Sequence, residues 1–250
     1  MKILKSFGIC GLFFVFYYFT ALISCIFISN SVLATIVTNV IVIVIGSLYY
    51  KKHKYINSTG FSKCVILLLF VFMFVVWLFS QITAVFVYNT FADTAYDNYK
   101  ELSSADSVLY LLLTFCVAPI AEEILLRGIV FNTLQNSTPI GVAYFVSALL
   151  FAVMHGTATH LFLAFSAGFL FAIVYEYTGH LRYSIVFHSV FNIFSVFFGG
   201  LDVPDIFFMP VVIMSVDVLI IASLIFLSYV VYKLKFGKND GVSSLLLRKK

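Results

Sequence analysis

From Cys64 to Tyr88 the chain runs through 25 residues without one charged side chain, "CVILLLFVFMFVVWLFSQITAVFVY". The hydrocarbon core of a bilayer, ~30 Å thick, is crossed by ~20 apolar residues of helix. A helix this long and apolar on every side belongs in lipid or in a large interior, not on a soluble surface. The pattern recurs along the chain, and candidate spans can be marked at 7–29, 32–50, 64–88, 107–127, 139–156, 161–178, 183–198 and 206–232. Only 10% of the 250 residues are charged and 62% are hydrophobic, against about 25% charged in an ordinary soluble domain. The expected fold is therefore all-α: a polytopic membrane helical bundle of about eight transmembrane helices, read as one domain over residues 1–250. A β-barrel is disfavoured, because its strands alternate apolar and polar residues and these runs are uniformly apolar.

Lys and Arg collect on the cytoplasmic side of membrane proteins. Lys2 and Lys5 place the N-terminus inside, and "KKHKY" between the second and third spans falls inside too. Arg127, Arg182, Lys233, Lys235, Lys238, Arg248, Lys249 and Lys250 follow in the same count. The 89–106 loop falls outside, with Lys100 beside Asp93, Asp97, Glu101 and Asp106. The expectation is a multi-pass protein of the cell membrane with both termini cytoplasmic. The net charge of +4 is this bias rather than a nucleic-acid footprint, and no nucleic-acid motif is present.

Cys10, Cys25, Cys64 and Cys116 lie in or beside spans without CxxC spacing, so neither a zinc knuckle nor a disulfide framework is expected. "LISC", Leu22 to Cys25, resembles a lipoprotein cleavage box, but the chain stays apolar after it, and 7–29 reads as an uncleaved span.

Ionisable groups at membrane depth are expensive and mark function by default. Three groups stand out between residues 107 and 198. In "AEEILLRG", Glu123 and Arg127 are four apart on one helical face, in the favourable order for an ion pair. Glu122 is turned ~100° away, so it is left without a built-in partner and suits a general base. Pro119, just before, frees a backbone carbonyl one turn back, near Cys116 or Thr114. The bland reading is an ion-pair cluster at the membrane edge. In "FAVMHG", Phe151 and His155 share a side; alone, this reads best as an interfacial histidine. In "HSVFN", His188 and Asn192 share a face and offer N–H donors at one place, as a developing oxyanion requires. They are equally suited to tie two spans together. Asp217 in the last span reads as a packing contact or an ion site, Glu176 as a partner for Arg182, and His160 and His180 as solvated turn residues.

Taken in order, "EEILLRG", "FAVMH" and "HSVFN" match EExxxR, FxxxH and HxxxN. This combination resembles the CPBP family of intramembrane proteases, which includes the CAAX prenyl endopeptidases and the bacteriocin-processing Abi group. The resemblance covers about 90 residues of the 250. It implies a catalytic core over 107–198 in which four spans enclose a polar cavity. It implies that Glu122 and His155 activate a water for attack on a peptide bond and that His188 and Asn192 hold the oxyanion. Glu123 and Arg127 would be supporting residues. Members are often labelled metalloproteases, and Glu122, His155 and His188 are the alternative ligands for a zinc ion. No HExxH motif fixes two histidines on one turn, and a glutamate acting as base is not free to ligate. The expectation is a reaction that requires no cofactor.

The implied function is an intramembrane endopeptidase acting on a small peptide precursor or a membrane-anchored protein. The alternatives are a bacteriocin self-immunity role on the same fold and, further off, a transporter built on Asp217 and Glu176. The placement carries one condition. His188 lies ~9 Å and His155 ~24 Å along their helices, so they meet only if the hairpin between the fourth and fifth spans projects into the cytoplasm. Asn132, Gln135, Asn136 and Ser137 permit that.

Overall fold

The computed structural model describes residues 2–53, 62–91, 107–198 and 210–236. These form eight helical rods: α1 (Lys2–Phe27), α2 (Ser31–His53), α3 (Lys63–Phe91), α4 (107–135), α5 (Ile140–Met154), α6 (Ala158–Thr178), α7 (Leu181–Phe198) and α8 (Pro210–Phe236). Among the described residues seven helices are long and apolar enough to cross a membrane, and α5, with 15 residues, is shorter. The chain is thus an all-α, multi-pass membrane protein. The helix α1 runs through Cys25 without a break, and the four cysteines are free thiols. Most of the charges that argue orientation, including Lys54, Asp93, Asp97, Lys100, Glu101, Asp106 and the tail from Lys238, lie outside the described residues.

At the centre stands α6, which packs against α3, α5, α7 and α8. Its small residues Ala164, Ala167, Gly168 and Ala172 are all buried, and small residues let helix backbones approach closely where no hydrophobic force separates lipid from protein. The approach is tightest at Gly168, where a Cβ would lie 2.8 Å from Phe151 Cδ1 on α5. Two glycines make the turns that bracket α6. Gly156 (φ 68°) follows α5 and Gly179 (φ 70°) ends α6, both in the left-handed region that other residues avoid.

Helix α4 differs from the expected span in length and winding. It continues past residue 127 to Gln135, and two stretches, Leu113–Val117 and Ile124–Phe131, are wound as π-helix. The Ala118 N–H accordingly donates to the Leu113 carbonyl, five residues back. Such wide turns are uncommon and gather at functional sites. Two of the four polar residues expected to permit a projecting hairpin, Asn132 and Gln135, are instead buried rungs. Asn132 Nδ2 donates to the Gly128 carbonyl at 2.9 Å and to the Tyr175 hydroxyl at 2.8 Å, and Gln135 Nε2 donates to Asn132 Oδ1 at 2.7 Å.

Candidate active site

The two glutamates of α4 part company as their spacing predicts. Glu123 and Arg127 are fully buried and paired, with Nη1 donating to Oε1 at 2.9 Å. Arg127 Nη2 donates to the Gly168 carbonyl of α6, and its guanidinium lies 5.1 Å from the Phe151 ring and 5.5 Å from the Phe171 ring. Flat cations are well satisfied between aromatic faces away from water. Glu122 keeps 16% of its side-chain surface exposed and borders a cavity of about 320 Å³.

His188 joins the two carboxylates. Its Nδ1 donates to Glu123 Oε1 at 3.1 Å, while Nε2 stands 3.7 Å from Glu122 Oε2. The ring stacks on Phe171 at 4.8 Å and receives the Phe151 edge at 5.2 Å. Arg127, Glu123 and His188 therefore form one chain of contacts that ends at Glu122, an arrangement in which each group orients the next.

His155 caps α5. Its Nδ1 lies 2.8 Å from the Phe151 carbonyl, one of the acceptors that a helix end leaves unmet. A carbonyl only accepts, so Nδ1 carries the proton and, in the neutral ring, Nε2 keeps its lone pair. The Phe151 ring lies against both histidines, 4.7 Å from His155 and 5.2 Å from His188. Both rings border the same cavity, although Asn132 and Gln135, two residues of the polar end of α4, are buried.

Asn192 also borders the cavity, and its Nδ2 donates to the Thr114 carbonyl at 2.9 Å. Pro119 explains why that carbonyl is open. In a π-turn its partner would be the N–H five residues on, and proline has none. The second N–H of the amide is left for another acceptor.

Glu122, His155, His188 and Asn192 thus share one cavity, with Glu123 and Arg127 behind it. Cavity residues that sequence reasoning missed include His160, Tyr17 and Asn39. His160 is not a solvated turn residue but sits in the first turn of α6, its Nδ1 2.7 Å from Thr157 Oγ1 and its ring 6.5 Å from His155. Asp217 accepts from Thr83 Oγ1 at 2.7 Å, a contact between α8 and α3, and Glu176 is buried within α6. Among the described residues no three His, Cys, Asp or Glu side chains converge as metal ligands. In the alternative zinc set of Glu122, His155 and His188, His188 Nε2 faces Glu122 at 3.7 Å while Glu123 holds its Nδ1–H.

The comparisons with known proteins fall on this part of the chain. Residues 103–194 match the family described as type II CAAX prenyl endopeptidase Rce1-like. The likeness is to this segment, which is less than half of the chain. The "Putative membrane peptidase YdiL" of Bacillus subtilis is 34% identical over 88 residues, 35% of this chain and 36% of that relative. An uncharacterized protein of Mycoplasma capricolum is 32% identical over 93 residues, 36% of this chain and 27% of its own length. The chain thus spans about a third or less of the length of these curated relatives. No solved structure matches. All three motifs lie within the Rce1-like segment, whereas α1, α2 and α3 lie before it.

Proposed function

We propose that this chain is an intramembrane endopeptidase whose catalytic core is formed by α4 to α7. The observation that carries the reading is the shared cavity of Glu122, His155, His188 and Asn192, with the buried Glu123–Arg127 pair outside its lining. Glu122 takes a proton from a water as the hydroxide adds to the peptide carbonyl, with His155 Nε2 holding the water as acceptor. The oxyanion is met by the free N–H of Asn192, while His188, held by Glu123 through its Nδ1–H, offers its Nε2 lone pair to the proton that Glu122 takes up. The proton then passes to the leaving nitrogen, the C–N bond breaks, and one carboxyl and one amino end result. No step requires a metal. The substrate is a small peptide precursor or a membrane-anchored protein reached from within the bilayer, and both termini are cytoplasmic.

The test uses the purified full chain in lipid nanodiscs with a library of internally quenched, uncharged octapeptides, products read by mass spectrometry. Wild-type protein is expected to release fragments. Glu122→Gln cannot accept the water's proton and is expected to lose ~10²–10⁴-fold in turnover while melting at the wild-type temperature. Equal product from both proteins would reject the assignment.

A further inference from the structure

The cavity has a wall that the family segment does not supply. Tyr17 of α1 and Val32, Thr35 and Asn39 of α2 border it together with the candidate catalytic groups, and all four precede residue 103, where the family match begins. Helix α2 presents one stripe at Val32, Thr35, Asn39, Val42 and Gly46, spaced alternately three and four residues, which keeps them on one side of a helix. The C-terminal half of the stripe is packed shut: a Cβ at Gly46 would lie 2.7 Å from Ile124 Cγ2 of α4. The N-terminal half lines the cavity.

Asn39 stands where the two halves meet. It is 1% exposed, and among the described residues its Oδ1 has no hydrogen-bond partner. Burying an unmet polar atom is costly, and natural proteins rarely leave one. The neighbouring Thr38 makes the contrast plain, because its hydroxyl is met within its own helix by the Ala34 carbonyl at 3.0 Å. A buried acceptor at a cavity wall is matched by a donor that arrives from the cavity.

We propose that Asn39 is a substrate-positioning residue, its Oδ1 accepting a backbone N–H of an uncharged peptide segment that lies in the cavity. This rests on the peptidase reading of the same site. The chemistry of the wall selects the ligand class. A carboxamide carries the same donor and acceptor as a peptide unit. Among the described residues that line the cavity there is no Lys or Arg to receive a free carboxylate end, and Val32, Leu113, Met154 and Leu163 suit apolar side chains. The family segment would then supply the chemistry, and α2 would choose which stretch of peptide is held against it.

The test measures binding separately from cleavage. A fluorescent, uncharged octapeptide and a series methylated at each backbone nitrogen are titrated against Glu122→Gln protein in nanodiscs, with and without Asn39→Leu. One methylation position is expected to weaken binding about tenfold when Asn39 is present and to change nothing in the Asn39→Leu protein. Asn39→Leu is expected to melt no lower than its parent, since it removes an unmet acceptor; should it fail to fold, Asn39→Ala carries the same comparison. Equal sensitivity at every position with and without Asn39, or no peptide binding at all, overturns the assignment. Peptides bound through Asn39 but never cut by wild-type protein would refute the peptidase reading and leave the positioning role standing.

Discussion

Two adjacent carboxylates in one helix do different work because their neighbours differ. Glu123 balances Arg127 and holds His188, so Glu123→Gln leaves a buried guanidinium without its counter-charge and His188 without its anchor. Breaking a buried pair from one side costs on the order of 3–5 kcal/mol. Glu123→Gln is therefore expected to lower both folded yield and melting temperature, as read by size-exclusion recovery and a detergent melting curve. A normal yield with full loss of turnover would instead assign Glu123 to the chemistry. This division was legible in the sequence because it is local: residues four apart on a helix meet whatever surrounds them. The roles of His160 and Asn39 were not legible. Each depends on which helices close around the cavity, and neither belongs to a motif. The buried amide of Asn132 was misread for the same reason, since it looks like a loop residue until Tyr175 is known to lie beside it.

At the scale of the helix, α4 is shaped by Pro119 and held by Asn192. The sequence pointed to an open carbonyl near Cys116 or Thr114, and Thr114 is the acceptor that Asn192 meets. What it did not reveal was the π-winding on both sides of the Glu122–Glu123 turn, because the extra residue per turn is fixed by the packing of α4 against α2, α5 and α7. The contact, with the proposed oxyanion role, gives Asn192 two separable duties. Loss of one interhelical hydrogen bond costs about 1 kcal/mol, whereas loss of an oxyanion donor cuts turnover by roughly 10²–10³ with little change in substrate binding. Asn192→Ala is expected to show both effects when melting curves and single-turnover rates are measured together. Pro119→Ala separates them. It restores an N–H five residues from Thr114, which competes with Asn192 for that carbonyl and lets α4 rewind. Its melting temperature is expected to hold or rise, while turnover falls as Glu122 moves. Unchanged turnover would mean that the wide turn has no part in placing Glu122.

For the whole molecule the number of crossings turns on α5. Fifteen residues at 1.5 Å each reach about 22 Å, short of the ~30 Å hydrocarbon core. Irregular backbone within the membrane is tolerated only where it is buried in protein or lines a cavity. The turn after α5 meets that condition, since His155 and His160 on either side of it border the cavity. The helix can therefore end below the far surface and still hand the chain to α6 as a full crossing. Eight crossings return both termini to one side; were α5 to turn back, only seven remain and the termini lie on opposite sides. The charges favour eight. Arg182 between α6 and α7, and Lys233 and Lys235 at the end of α8, then fall on the cytoplasmic side with Lys2, Lys5, Lys51 and Lys52, as the positive-inside bias requires. A reporter fused after Lys250 is expected to be cytoplasmic, and one inserted near Asp97 external, read by paired phosphatase and fluorescent-protein fusions. An external signal after Lys250 with an external signal near Asp97 would mean that α5 does not cross, and would move the α6–α7 turn to the outer side.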